Sequence, residues 1–457
     1  MSKEHLSVVI CGHVDSGKST LAARMLFQLG GVPEQEQGTY MSYPACPHLF
    51  LDCSTEERER GITIACKRRE FLTETWRYTL IDAPGHRDCI KNMLRAASQA
   101  DTAILVVPAR QLFADTLAPE GGTRQHAQLL SFLGVNQLCV AVSKMDYEVP
   151  SFRQERFEEI KSQIQRVLLR VGWRRKFVEN TPIIPVSCPP GPETNLISPC
   201  SHIMPWWTGQ EVEVDGRVCR VRTLYDVLDK VFRPPARKTD AALCMPVSNK
   251  YRIPGVGDVV LGRLEEGTLQ PGDQVLFLPD RGMDRNCSAS AKSIEMHHER
   301  RDAAAAGDIV GVHIADLRCL PETGDVMFRA CDVIGRNVLR LEAQVIFVGN
   351  GSPVKPGYCP LAFARCGHAP CRIVAIQWKM SRRSGRQAEK VEGPTSLGRK
   401  ELGLCTFEPL RPFFCDSVDV TPSLSRIIFL DGNVPVLLGK VVCCHHTEAA
   451  DKGGKKK

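Results

Sequence analysis

Residues 8 to 25 read VVICGHVDSGKSTLAARM, and the residue types in this stretch define a chemistry before any fold is considered. Gly12 to Ser19 follow the spacing GxxxxGK[ST] of a phosphate-binding loop. In such a loop the backbone N–H groups of residues 13 to 19 converge on phosphate oxygens, and glycines at 12 and 17 permit the tight path. Lys18 neutralises terminal phosphate charge, and the Ser19 hydroxyl is suited to a magnesium ion. The loop follows an apolar run and opens a helix that closes at Gly30 and Gly31, which is the context a phosphate cradle needs. A glycine-rich turn without a ligand is the bland reading of the same residues.

Two further stretches give the phosphate loop a nucleotide and a reaction. VSKMD, 142 to 146, ends the apolar run LCVAV, where ligands meet parallel sheets. The Asp146 carboxylate can accept two hydrogen bonds from the N1–H and N2–H of guanine, a donor pair adenine lacks, while the Lys144 stem packs along a purine face. A surface turn capped by Asp146 is the structural alternative. In DAPGH, 82 to 86, Asp82 can reach magnesium through water and Gly85 lets a backbone N–H approach a γ-phosphate. His86 then stands where an attacking water would. ERERGITI supplies Thr63, whose hydroxyl suits magnesium if that loop folds over a triphosphate. Loss of the γ-phosphate would release both loops, which is a switch.

The elements that must hold these residues change character once along the 457 residues. Up to about residue 235, the apolar runs SVVIC, YTLIDAP, AILVVPA, LCVAVSKMD and PIIPVSC alternate with helix-period segments such as FRQERFEEIKSQIQRVLLRVGW. That alternation predicts an α/β domain with a parallel-type sheet. After FRPPARKTD, apolar stretches are cut every few residues by Gly, Pro and Asp, which predicts two antiparallel β-barrels joined near Cys331 to Gly335. The expected modules are 1–235, 236–332 and 333–445, followed by a basic tail over 446–457 that is expected to be disordered.

Composition narrows the class. With 43% hydrophobic and 24% charged residues the chain is globular, and it has neither a secretory leader pattern nor an apolar run long enough to span a bilayer. A cytoplasmic protein is expected, with its 20 cysteines as reduced thiols. Cys443, Cys444, His445 and His446 are the nearest approach to a metal cluster, but adjacent residues alternate sides of a strand and converge poorly on one ion. The net charge of +7 favours an acidic partner.

GHVDSGKST, ERERGITI, DAPGHRDCIKNM, the spacing to SKMD, MPWW at 204 to 207 and EMHH at 295 to 298 resemble the translational GTPases of the elongation factor Tu and elongation factor one-alpha family. The resemblance spans nearly the whole chain. VDGRVCRVRTLYDVLDK, ARCGHAPCRI, CTFEPLRPFFCDS and LDGNVPVLLGKV are most similar to the elongation factor-like group, which stands in for elongation factor one-alpha in some eukaryotes. It implies a P-loop GTPase domain and two barrels that deliver aminoacyl-tRNA to the ribosomal A site, using GTP/GDP, Mg2+ and an exchange factor. A monomer with no membrane role is expected. Carried over residue by residue, Gly12, His13, Val14, Asp15, Ser16, Gly17, Lys18, Ser19 and Thr20 line the nucleotide. So do Asp82, Ala83, Pro84, Gly85, His86, Ser143, Lys144, Met145, Asp146, Ser187 and Cys188. Ser19, Thr63 and Asp82 hold the metal, Val14 and Ile62 resemble the apolar gate, and His86 is the catalytic residue.

The same resemblance places Glu295 and His297 at the pocket for the tRNA's terminal adenosine, where residues read without it are half-buried strand positions. Lys379, Arg382, Arg383 and Arg386 are phosphate-contact candidates on a hairpin, with a solvated turn as the equal alternative. The sequence departs from the family at four places. Ser143 stands for an asparagine whose amide ties loops together, and a hydroxyl reaches less far. The stretch before ERERGITI is short, ARQLFADTLAPEGG is compressed, and Ile309 replaces an asparagine that helps hold the aminoacyl group. Two other functions remain open: a termination or rescue GTPase with a protein cargo, and a degenerate GTPase kept as a scaffold.

Overall fold

The computed structural model describes residues 3–32, 36, 51, 57, 63, 66–110, 117–118, 121–147, 151–188, 195–281, 287–332, 337–381 and 389–446. Two compact units divide the chain, Met1–Ala236 and Arg237–Lys457.

In the first unit, the five apolar runs become the parallel strands β1 (His5–Gly12), β3 (Arg77–Asp82), β4 (Thr102–Pro108), β5 (Leu138–Ser143) and β6 (Ile183–Pro185). All of β4, β5 and β6 and nearly all of β1 and β3 are buried, as strands covered on both faces must be. An antiparallel edge strand, β2 (Lys67–Leu72), completes the order β2-β3-β1-β4-β5-β6. Its sequence, KRREFL, carries too much charge to announce a strand, and that charge suits a sheet edge. The helices α1 (Lys18–Gln28), α2 (Ile90–Ala97), α3 (Gly122–Leu133) and α4 (Gln154–Arg170) are each amphipathic, as crossovers packed on a sheet should be.

Register decides what this sheet can hold. Ile10 pairs with Asp82, Gly12 with Val106, and Pro108 with Ser143. The carboxyl ends of β1, β3, β4 and β5 therefore finish side by side, at the point where the strand order turns around β1, which is where α/β sheets bind ligands.

After α5 (Arg175–Asn180), a hairpin of β7 (Gln210–Val214) and β8 (Arg217–Val221) leads to a capping box on Thr223 and Asp226 and to α6 (Leu224–Asp226), extended by a wider turn over Val227–Val231. This terminal segment is fastened to the sheet edge. The buried Tyr78 hydroxyl on β3 donates to the Leu228 carbonyl at 2.7 Å, and its ring stacks on Phe71 at 5.0 Å.

The second unit holds two six-stranded antiparallel barrels. One closes by pairing Gln274–Leu278 with Cys287–Met296, and the other by pairing Leu361–Ala364 with Gly367–Ser381. Each carries one short additional strand, Glu299–Arg301 and Glu389–Glu392. Alternation of buried and half-buried positions, clear in Leu402–Pro409, gives each barrel its own apolar core. Cys244, Leu276, Leu278, Val326, Phe328, Phe414 and Leu424 form a further cluster along the seam between the barrels. There Arg365 meets Glu265 at 3.0 Å. Residues 333–336 of the expected joint, and the tail from residue 447, lie outside the described residues. One expectation is corrected: Cys287 and Cys319 form a disulfide across the first barrel, because strand and loop bring together two thiols 32 residues apart.

Tyr78→Phe removes the partner of the Leu228 carbonyl, so urea unfolding should show a loss of about 1–1.5 kcal/mol in stability.

Candidate functional site

The loop between β1 and α1 is built around a buried cation. Gly12 and Gly17 take positive φ of 147° and 89°, and a Cβ on Gly12 would collide with the Val106 carbonyl of the neighbouring strand. Gly17 caps α1 without a side-chain hydrogen bond, so the first-turn N–H groups of the helix face the loop's hollow with no cap of their own. Lys18 runs back beneath them. It is only 6% exposed and donates to the His13 carbonyl at 2.7 Å. Burial pushes its pKa down from the usual lysine value, while Asp82 acts in the opposite direction.

Asp82 ends β3 fully buried, and Ala83, Pro84 and Gly85 continue as a buried extended segment. Gly85 lies so close to the Lys18 ammonium that any Cβ there would strike it. A side chain at position 85 would have to displace the lysine and press on the Gly12 carbonyl. His86 follows, half exposed, its Nδ1 accepting from the Asp88 N–H at 3.2 Å. On the other side of the loop, the Ser19 and Thr63 hydroxyl oxygens are 3.0 Å apart. Neighbouring ligands on an octahedral ion at about 2.1 Å lie about 3.0 Å from each other, so this pair fits two vertices of a hard divalent cation.

The base side of the site rests on β5. Ser143 was expected to tie the loops less well than asparagine, but its hydroxyl donates to the Ser16 carbonyl of the phosphate loop at 2.6 Å. The reach suffices because β5 ends directly against the loop. Lys144 adopts φ 59° and is half buried, its stem 3.7 Å from the position a Gly17 Cβ would occupy. Met145 is buried beneath the turn, and the Ser187 hydroxyl donates to Asp146 Oδ1, which fixes the carboxylate's rotation. Cys188 follows, partly exposed. His13, Val14, Asp15, Ser16 and Thr20 complete the loop and the first turn of α1, with Val14 partly exposed.

Other expected site residues fall elsewhere. Ile62, Arg382, Arg383 and Arg386 lie outside the described residues. In the second unit, Glu295 is half exposed at the end of strand Cys287–Met296, with Arg300 at 4.0 Å, and His297 turns the chain with φ 51°. Lys379 is engaged by Glu401 at 3.0 Å. Ile309 is 5% exposed but lies on the strand face opposite the core residues Val310, Val312 and Ile314.

Sequence reasoning missed His126. Fully buried on α3, it accepts the Gly12 N–H at its Nδ1, 3.0 Å away, so the ring carries its proton on Nε2. Burial and the nearby Lys18 push its pKa down to about 3, which keeps the acceptor neutral. The signal was present as a lone histidine on the apolar face of TRQHAQLL, but nothing local shows that this face meets the turn at Gly12.

Comparison with known proteins then fixes the lineage. Residues 3–234 match the family model for the elongation factor Tu GTP binding domain, 257–328 match elongation factor Tu domain 2, and 340–442 match the GTP-eEF1A C-terminal domain. The chain belongs to the elongation factor Tu and elongation factor 1-alpha family of translational GTPases. Elongation factor 1-alpha of Onchocerca volvulus is 33% identical over 100% of this chain and 99% of its own length. That of Hyperthermus butylicus is 35% identical over 96% of each. Among solved structures, the fold resembles the Ski7 GTPase-like domain of S. cerevisiae bound to GTP, with TM-score 0.75, 16% identity, and 96% and 98% coverage of the two chains. Elongation factor SelB of Methanococcus maripaludis, with a GTP analogue, gives TM-score 0.66 at 20% identity, covering 97% of this chain and 79% of that one. Family membership makes this protein a guanine-nucleotide-binding enzyme that hydrolyses GTP and works with ribosomes and tRNA. No helix among the described residues is long and apolar enough to cross a membrane.

Two measurements check this site. His126→Ala leaves the buried Gly12 N–H unpaired, so it should cost about 1–3 kcal/mol, read as weaker GTP binding and a lower urea midpoint, with His126→Gln recovering most of the loss. Phosphates restore the lowered Lys18 pKa, so nucleotide binding should take up a proton at alkaline pH, and affinity should fall as pH rises between the free and bound values. Calorimetry in buffers of different ionisation enthalpy reads the proton, and Lys18→Met should abolish it.

Proposed function

We propose that this GTPase delivers aminoacyl-tRNA to the ribosomal A site and is released when GTP is hydrolysed. One observation carries the reading: similarity at 33–35% to proteins named elongation factor 1-alpha runs through all of the chain, barrels included, rather than through the nucleotide domain alone. The stretches quoted above favour the elongation factor-like branch. Cytoplasmic action as a monomer with an exchange factor belongs to the same proposal.

In this reading the phosphate loop's N–H groups and Lys18 bind the triphosphate, and the Ser143 hydroxyl holds the loop in register with the base-reading turn. Asp146, held by Ser187, reads guanine. Cys188 lies beside it. Ser19 and Thr63, with Asp82 through water, would hold a magnesium ion, which neutralises phosphate charge when bound. Val14 and Ile62 would gate the approach to the γ-phosphate. His86 lies on a short turn, its ring held by the Asp88 N–H, and orients the attacking water with the ribosome's help. Glu295 and His297 take the tRNA's 3′ end, and Arg382 and Arg383 its phosphates.

Ile309 favours a second reading. Buried on the face away from the barrel's core, it supplies no amide for an aminoacyl group, which leaves a protein cargo of termination or rescue type in play. The deciding experiment is protection of aminoacyl-tRNA from spontaneous deacylation by the purified chain. Protection with GTP but not GDP supports delivery; none with either sinks it. His86→Ala should bind GTP normally yet lose ribosome-stimulated turnover by at least about a hundredfold.

A further inference from the structure

The second barrel brings together a donor set that the sequence disperses. Its last strand, Val434–His446, alternates sides, so Cys443 and His445 leave one face while Cys444 and His446 share the other. The sequence expectation that the four adjacent residues diverge is right for the strand taken alone. It is incomplete for the barrel, because the irregular segment after Pro409 folds across that face and adds Asp416. Ligand atoms of Asp416, Cys444 and His446 all lie within 4.8 Å of one another.

Three further details suit a metal. The Cys415 Sγ lies 3.9 Å from the Cys444 Sγ, a second soft atom beside the Cys444 donor though outside the group of three. His446 Nδ1 is shielded from solvent and has no hydrogen-bond partner among the described residues. The Asp416 carboxylate is already oriented, by the Ser417 N–H at 2.7 Å and the Thr421 hydroxyl at 2.8 Å, with one lone pair on each oxygen remaining.

We propose that Asp416, Cys444 and His446 form a zinc site that clamps this segment to the end of the barrel's last strand. A thiolate, an imidazole and a carboxylate are a borderline-soft set that selects Zn2+ over Mg2+ or Ca2+, with a water as the fourth donor. Binding releases the Cys444 thiol proton to solvent. The clamp acts on the seam between the barrels. Phe414, beside Cys415, packs edge-on against Phe328 of the other barrel at 5.3 Å, and its ring lies 6.1 Å from that of His446.

The test uses the reduced full chain, freed of metal by a chelator and titrated with Co2+, then Zn2+. One equivalent of cobalt with a thiolate charge-transfer band, displaced by zinc, is expected, together with a zinc-dependent rise in melting temperature. Cys444→Ser and His446→Ala should abolish both signals, whereas Cys443→Ser should keep them. Should Cys444→Ser fail to fold, Thr421→Val leaves every ligand in place and should weaken zinc by about 10–100-fold. The proposal falls if the reduced protein binds no stoichiometric metal, or if Cys443→Ser loses as much as Cys444→Ser. It falls equally if Thr421→Val binds zinc unchanged, or if the thiols occur as a Cys415–Cys444 disulfide whose reduction yields no metal-binding form.

Discussion

A lysine ammonium held almost entirely out of water is the constraint from which the nucleotide domain follows. Burying an unneutralised cation is costly, and Lys18 has a carbonyl and the charge of Asp82 to offset it, with its pKa driven down. Those conditions dictate the surroundings. A side chain on Gly85 would have to displace the ammonium, and Asp82 ends β3 level with Ile10 of β1, two residues before Gly12. A polyanion restores the charge balance, which explains in physical terms why such a pocket binds phosphate strongly and why it stays incomplete without it.

His126 and Ser143 show how the rest of the domain supports that centre. Each supplies one hydrogen bond to the backbone of the phosphate loop, one to the Gly12 N–H and one from a hydroxyl to the Ser16 carbonyl. The loop is thus held from α3 and from β5 before any ligand arrives. Ser143 also ties the two sides of the site together, because β5 ends close enough to the phosphate loop for a hydroxyl to reach the Ser16 carbonyl.

The barrels are organised on another principle. Their cores are independent, with alternation along each strand sorting residues inward and outward, and they meet through a small apolar seam with the Arg365 and Glu265 pair beside it. A seam of that size depends on where a few aromatic rings are held, so the segment bearing Phe414 matters beyond its own packing. Ile309 is buried yet stands outside the first barrel's core, on the face opposite Val310, Val312 and Ile314.

Much of this was legible in the residues themselves. The five apolar runs became the five parallel strands because fully buried strands must be apolar throughout, and the phosphate loop was readable because glycine, lysine and serine at fixed spacing have few other uses. Strand β2 was hidden because its charge is permitted only by its place at the edge. The role of His126, the reach of Ser143, the Cys287–Cys319 disulfide and the meeting of Asp416 with Cys444 and His446 were likewise invisible. Spacing along a chain fixes which side of a helix or strand a residue takes, since that depends on local geometry alone. Which distant segment faces that side is set by how sheets close and layers pack, and only the folded chain decides it.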